Sequence, residues 1–109
     1  MSTLVNVTDH SFDAQVLKCD IPVLTHFWAG WSAQCKTMDV HLQEIAAEYD
    51  EQIKLVRLDI EMNPTFTSQY TVLNIPTLIL FKNGQEVQRI TGVVSKAELL
   101  EKIEPYLDH

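Results

Sequence analysis

The chain has 109 residues, 46% hydrophobic and 21% charged, with two cysteines and a net charge of -7. That length implies a single domain over 1–109 that can bury on the order of 65% of its unfolded surface. The acidic balance excludes nucleic acid and anionic membranes as expected partners, since both attract basic surfaces. No stretch is long and apolar enough for a membrane span, and no secretory signal is visible at the start. Cys19 and Cys35 are too few for a disulfide framework and match no zinc spacing, so a reducing, cytoplasmic location is expected, with no metal and no cofactor.

Leu4 to Val7 forms a short strand candidate. Thr8, Asp9 and Ser11 offer N-caps for a first helix holding Phe12, Val16 and Leu17. Cys19, near its end, reads as a packing residue. Pro22 opens a strand from Val23 to Trp28 that breaks at Gly30. A long helix then runs from about Ser32 to Tyr49, with Cys35, Met38, Leu42, Ile45, Ala46 and Tyr49 on one face. Ile53 to Ile60 is a third strand, with Val56, Leu58 and Ile60 on one side and Arg57 and Asp59 on the other.

Asn63-Pro64 is a cap followed by a first-turn proline, opening a short helix through Phe66 to Tyr70. Ile75-Pro76-Thr77 leads into Leu78–Phe81, a strand apolar on both faces. Asn83-Gly84 predicts a tight hairpin into a partner strand from Val87 to Thr91, ended by Gly92. Ser95-Lys96-Ala97-Glu98 is a capping box for a last helix carrying Leu99, Leu100, Ile103 and Leu107. The order of elements predicts an α/β fold: a mixed sheet with parallel crossovers, an antiparallel hairpin at one edge and helices on both faces.

The chemistry centres on His26 to Lys36, His-Phe-Trp-Ala-Gly-Trp-Ser-Ala-Gln-Cys-Lys. A thiol in the first turn of a helix sits where the positive end of the dipole favours a thiolate. The stretch resembles the thioredoxin family, whose signature here is Phe-Trp-Ala-x-Trp-Cys-Gly-Pro-Cys-Lys, and the resemblance runs from about Val5 to Leu107. It implies the thioredoxin fold and thiol–disulfide exchange, in which a first cysteine attacks a disulfide and a second resolves the mixed product. In this chain Ser32 stands in place of the attacker and Ala33-Gln34 in place of Gly-Pro; Cys35 keeps the second position.

A serine hydroxyl has no low pKa and needs an activating base, so Ser32 reads as an N-cap. Cys35 reads either as an inert half-buried thiol or as a monothiol able to react once. His26 replaces the buried Asp that the family uses to move protons for the second cysteine. It reads as hydrogen-bonded core or, more sharply, as an imidazolium paired with the Cys35 thiolate. Arg57 matches the family's Lys beside that Asp and is expected to turn to Asp59 or to solvent. Val40 stands where the family often has a kinking proline, so a straighter helix is expected.

The segment Asn74-Ile75-Pro76-Thr77 matches the family's cis-proline loop. By resemblance, Trp31, Ile75, Pro76, Thr77, Gly92 and Val93 line a groove for an extended protein or peptide partner, and a thioredoxin reductase is a second partner. A monomer is expected. Three functions follow: a thioredoxin-like protein with weak or absent dithiol reductase activity and monothiol exchange at Cys35; a non-redox binding module on the same scaffold; and an ordinary protein-disulfide reductase carrying an engineered Cys-to-Ser change at position 32. Glutathione-dependent and iron–sulfur chemistry, which rely on the missing first cysteine, are set aside.

Overall fold

A computed structural model describes residues 4–107 of the chain, so the terminal residues of the expected 1–109 domain lie outside the described part. Five strands, β1 (Val5–Val7), β2 (Val23–Trp28), β3 (Lys54–Asp59), β4 (Thr77–Lys82) and β5 (Gln85–Thr91), form one sheet in the order β1-β3-β2-β4-β5. β1 and β2 both run parallel to β3, whereas β4 is antiparallel to β2 and to β5. Among the described residues the α-helices are α1 (Ala33–Glu48), α2 (Pro64–Gln69) and α3 (Lys96–Ile103).

Two cores lie on opposite faces of this sheet. Because side chains alternate along a strand, Leu78 and Leu80 of β4 join Leu42 and Ile45 of α1 and Leu99 and Ile103 of α3 on one face. Ile79 and Phe81 join Phe12, Val16, Phe27 and Val56 on the other, with Phe66 and Tyr70 packed against them. Phe12 is fully buried and stacks on Phe66 at 4.3 Å while meeting Phe81 edge-on at 5.7 Å. Cys19 is half-buried against this second core, on the face away from α1.

The Asn83-Gly84 turn places both residues at positive φ, 54° and 79°, the geometry that matches the right-handed strand twist. The partner strand begins two residues earlier than expected, at Gln85, with an irregularity in the pairing between Leu80 and Phe81. Ser95 caps α3 by accepting from the Glu98 N–H at 3.1 Å. Pro105 cannot continue the helical ladder, and the chain passes into a 3-10 turn over Glu104–Tyr106.

The first helix differs from expectation. Asp13–Leu17 is a single π-type turn, in which the Lys18 N–H reaches back five residues to the Asp13 carbonyl. Asp9 does not cap it. Its carboxylate instead accepts from the Thr65 and Phe66 N–H groups at 3.0 and 3.2 Å, capping α2 across the fold. Asn63, at the cap position of α2, turns its side chain the other way, accepting from the Asp9 N–H at 2.9 Å and donating to the Asp59 carbonyl. The two residues thereby clasp the β1 loop to α2.

Candidate functional site

The ends of β2, β3 and β5 and the start of β4 meet at one end of the sheet, since β4 runs against its neighbours. The loop from β2 to α1 carries Trp31 at its tip, 69% exposed. Ser32 follows with extended backbone dihedrals, φ -89° and ψ 117°, and is the N-cap of α1. Its Oγ accepts from the Cys35 N–H at 3.2 Å, and its carbonyl accepts from the Lys36 N–H. The hydroxyl is therefore occupied at the helix terminus. Cys35 is fully buried, and both cysteines are free thiols. Val40 lies exposed on α1, which runs unbroken for 16 residues.

The Ile75–Pro76 peptide is cis. Pro76 and Thr77 are buried and Ile75 half-buried, and the Thr77 hydroxyl donates to the Asn74 carbonyl. Gly92 has φ 88°, a conformation that L side chains rarely adopt, and its N–H donates to the Pro76 carbonyl at 2.8 Å. Val93 beyond it is 45% exposed. Trp31, Ile75, Pro76, Thr77, Gly92 and Val93 thus all belong to this end of the sheet. Sequence reasoning missed Met62 and Leu73, which are 76% and 82% exposed in the loops flanking α2. Leu73 and Val72, with Ile60, Pro64 and Thr67, also border an open hollow of about 410 Å³. An apolar residue directly before Asn74-Ile75-Pro76 was the available signal.

His26 is fully buried on β2 and pairs in register with Arg57 on β3 and Leu78 on β4. Its near neighbour is an unexpected one. Nδ1 stands 3.7 Å from Asp39 Oδ1, longer than a hydrogen bond, and neither atom has a hydrogen-bond partner among the described residues. The other carboxylate oxygen, Oδ2, accepts from Arg57 Nη1 at 2.9 Å and from Gln43 Nε2 at 3.0 Å. Arg57 also donates from Nε to Asn6 Oδ1 at 2.8 Å and lies over the Trp28 ring at 4.6 Å.

Arg57 therefore turns neither to Asp59 nor to open solvent, as the sequence suggested. It is held between α1, β1 and Trp28, because Asp39 supplies its counter-ion. The clue was spacing: Asp39 lies four residues after Cys35 and four before Gln43, on the edge of the buried stripe.

Burial drives the His26 pKa below its ordinary value of 6.5; Asp39 opposes the shift and Arg57 adds to it. Burial alone would raise Asp39. Contacts with His26 and Gln43 and the charge of Arg57 outweigh it and hold the carboxyl below 3.8. The arrangement is a neutral imidazole beside a carboxylate neutralised by a guanidinium. Among the described residues no group of three or more His, Cys, Asp or Glu side chains is gathered to hold a metal ion.

Comparison with known proteins agrees with this architecture. The Thioredoxin family profile matches residues 3–105. The chain belongs to the thioredoxin family. It is 41% identical over 107 residues to "Thioredoxin 1" of Nostoc sp., covering 98% of this chain and all of that protein. It is 44% identical over 102 residues to "Thioredoxin" of Mycobacterium tuberculosis, covering 94% and 88% of the two chains. The "Bifunctional thioredoxin reductase/thioredoxin" of Mycobacterium leprae is 46% identical over 96 residues, which is 88% of this chain and 21% of that larger protein. The mixed five-stranded α/β sheet is the thioredoxin fold. No helix among the described residues is long and apolar enough to cross a membrane.

Proposed function

We propose that this thioredoxin-family chain binds an extended protein segment in the groove at Trp31, Ile75, Pro76, Thr77, Gly92 and Val93, and is a poor dithiol disulfide reductase. The observation that carries the reading is Ser32, whose hydroxyl is committed to the Cys35 N–H while the thiol itself is fully buried. Dithiol reduction needs one sulfur to attack and a second to resolve. Cys19 cannot supply the missing one, since it packs against the core on the opposite face of the sheet from α1. Cys35 is left with a single exchange, forming a mixed disulfide and releasing one thiolate.

The full burial of Cys35 also favours a second reading, a binding module in which the sulfur plays no part. Substitution at Cys35 separates the two: exchange requires the sulfur, whereas groove binding survives Cys35→Ser. A thioredoxin reductase is proposed as a surface partner only, because Ser32 and Cys35 offer it no disulfide to reduce. Two free thiols fit a reducing, cytoplasm-like compartment, and a monomer is the assembly proposed.

The test is dithiothreitol-driven reduction of insulin by the full chain and by Ser32→Cys. The expected result is a wild-type rate near the uncatalysed background. A gain in Ser32→Cys would add that the scaffold kept everything except the nucleophile, the pattern expected of an engineered or recently lost cysteine. A wild-type rate equal to an active Ser32→Cys rate overturns the reading.

A further inference from the structure

The turn that ends α2 carries a side chain that its backbone does not favour. Thr71 has φ 52°, left-handed backbone, at the position where helices commonly place glycine. Its N–H donates to the Ser68 carbonyl at 3.0 Å and the Val72 N–H to the Thr67 carbonyl at 2.9 Å, the paired bonds of a Schellman ending. A β-branched residue is an outlier there, because Cβ comes close to the following carbonyl oxygen. Asn83, the other described non-glycine residue at positive φ, has a short polar side chain that tolerates it. A conformation like that of Thr71 persists only where its surroundings hold it.

β5 supplies the holding group. Arg89 donates from Nη2 to the Tyr70 carbonyl at 2.7 Å and from Nη1 to the Thr71 carbonyl at 3.4 Å. Glu86 faces the same guanidinium, accepting from Nε at 2.8 Å and from Nη2 at 2.9 Å. Residues three apart on a regular strand face opposite sides of the sheet. Here the irregularity between Leu80 and Phe81 changes the register, so that Arg89 pairs with Ile79 and Glu86 with Phe81. Ile79 and Phe81 both belong to the core against which Phe66 and Tyr70 of the α2 region pack. Glu86 and Arg89 therefore share that face of the sheet.

We propose that Arg89, oriented by Glu86, is a positioning residue: its fork holds the Thr71 turn in the left-handed conformation and so sets where Leu73 is presented, two residues before the Ile75–Pro76 peptide. Leu73 is 82% exposed, and the connection from the turn to β4 at Thr77 is short, so the course of the chain out of Thr71 decides its place. The use of that placement in binding rests on the groove reading above; the clamp itself does not.

The test is a cycle of Arg89→Gln and Thr71→Gly in the full chain, read as protection against amide exchange at Thr71 and Val72, whose N–H groups close the turn. Arg89→Gln is expected to lower protection at these two amides by about tenfold, more than at the amides of β2, which report global opening. Glycine adopts positive φ without strain. In the Thr71→Gly background the same Arg89 substitution is therefore expected to change protection by no more than about twofold. A merely stabilising role for Arg89 would not be relieved by Thr71→Gly. Glu86→Gln lowers protection at the same two amides, and protection equal to wild type there overturns its orienting role.

Calorimetric binding of reduced, carboxymethylated insulin B chain is the functional arm. Arg89→Gln and Leu73→Ala are each expected to weaken it by about threefold or more, and the double variant no further. Unchanged protection in Arg89→Gln overturns the proposal, as does a loss that persists in the Thr71→Gly background. So does a B-chain affinity that is equal in Arg89→Gln and wild type. If wild type binds no B chain, the groove reading fails and the exchange cycle alone decides the clamp.

Discussion

At the scale of single residues, one side chain at position 32 carries the proposed loss of dithiol chemistry and also a local gain in stability. Serine cannot ionise near neutral pH, but it satisfies one of the orphan N–H groups at the start of α1, the Cys35 amide. Ser32→Ala is expected to lower stability by about 1 kcal/mol in urea denaturation, and Ser32→Asn by only a few tenths, because asparagine caps as well as serine. An equal loss in both variants would mean that the cap is not what Ser32 contributes. Arg57 has a comparable local logic, since its planar fork reaches Asp39 and Asn6 while its face covers Trp28. Lysine carries the charge but not the fork or the stacking plane. Arg57→Lys is expected to cost on the order of 1–2 kcal/mol by the same measurement. A neutral result would show that the charge alone suffices.

At the scale of elements, the sharpest contrast is between contacts made along the chain and contacts made across it. The Asn83-Gly84 hairpin, the Ser95 cap and the doubly buried β4 were legible because each rests on residues within three or four positions of one another. The role of Asp9 was not. Its residue type marks it as a cap, but the helix that it caps starts 55 residues later, and only the folded sheet brings the two together. Asp39 failed to stand out for the same reason. Helix spacing places it beside Cys35, but nothing local says that Arg57 finds its carboxylate on α1. Trp31 and Pro76 were singled out through the resemblance alone, while Met62 and Leu73 become visible only as exposed apolar side chains on the folded surface. Since Asp9 holds the first turn of a six-residue helix with no side-chain cap of its own, Asp9→Ala should cost about 1 kcal/mol and speed amide exchange at Thr65 and Phe66 first. Uniform exchange changes across the molecule would argue that the clasp acts globally instead.

At the scale of the whole molecule, two effects of acidification oppose each other. The net charge of -7 shrinks as pH falls toward the sequence pI of about 4.9, which relieves self-repulsion and favours the compact state. His26 works the other way. Its pKa is depressed in the fold by burial, so the unfolded chain takes up the proton first as pH falls through about 6.5. Stability from neutral His26 is therefore complete above that value and is lost below it, until the folded form also binds the proton. For one group the slope cannot exceed about 1.4 kcal/mol per pH unit. A second loss follows at lower pH, where Asp39, held below 3.8, and Glu86, held below 4.5 chiefly by Arg89, bind protons in the unfolded chain before the folded one. Relief of repulsion is spread over many exposed carboxylates that wild type and a His26 variant share, as are the three other histidines, so both cancel in the difference between the two proteins. Urea unfolding of wild type and His26→Gln at pH 7.5 and at pH 5.5 (a span of about 2 units, set around the histidine range) isolates the His26 contribution. The wild type is expected to lose more stability than the variant over that span, whatever the offset between them at neutral pH. Equal losses would mean that the buried imidazole binds its proton as readily in the fold as in the open chain.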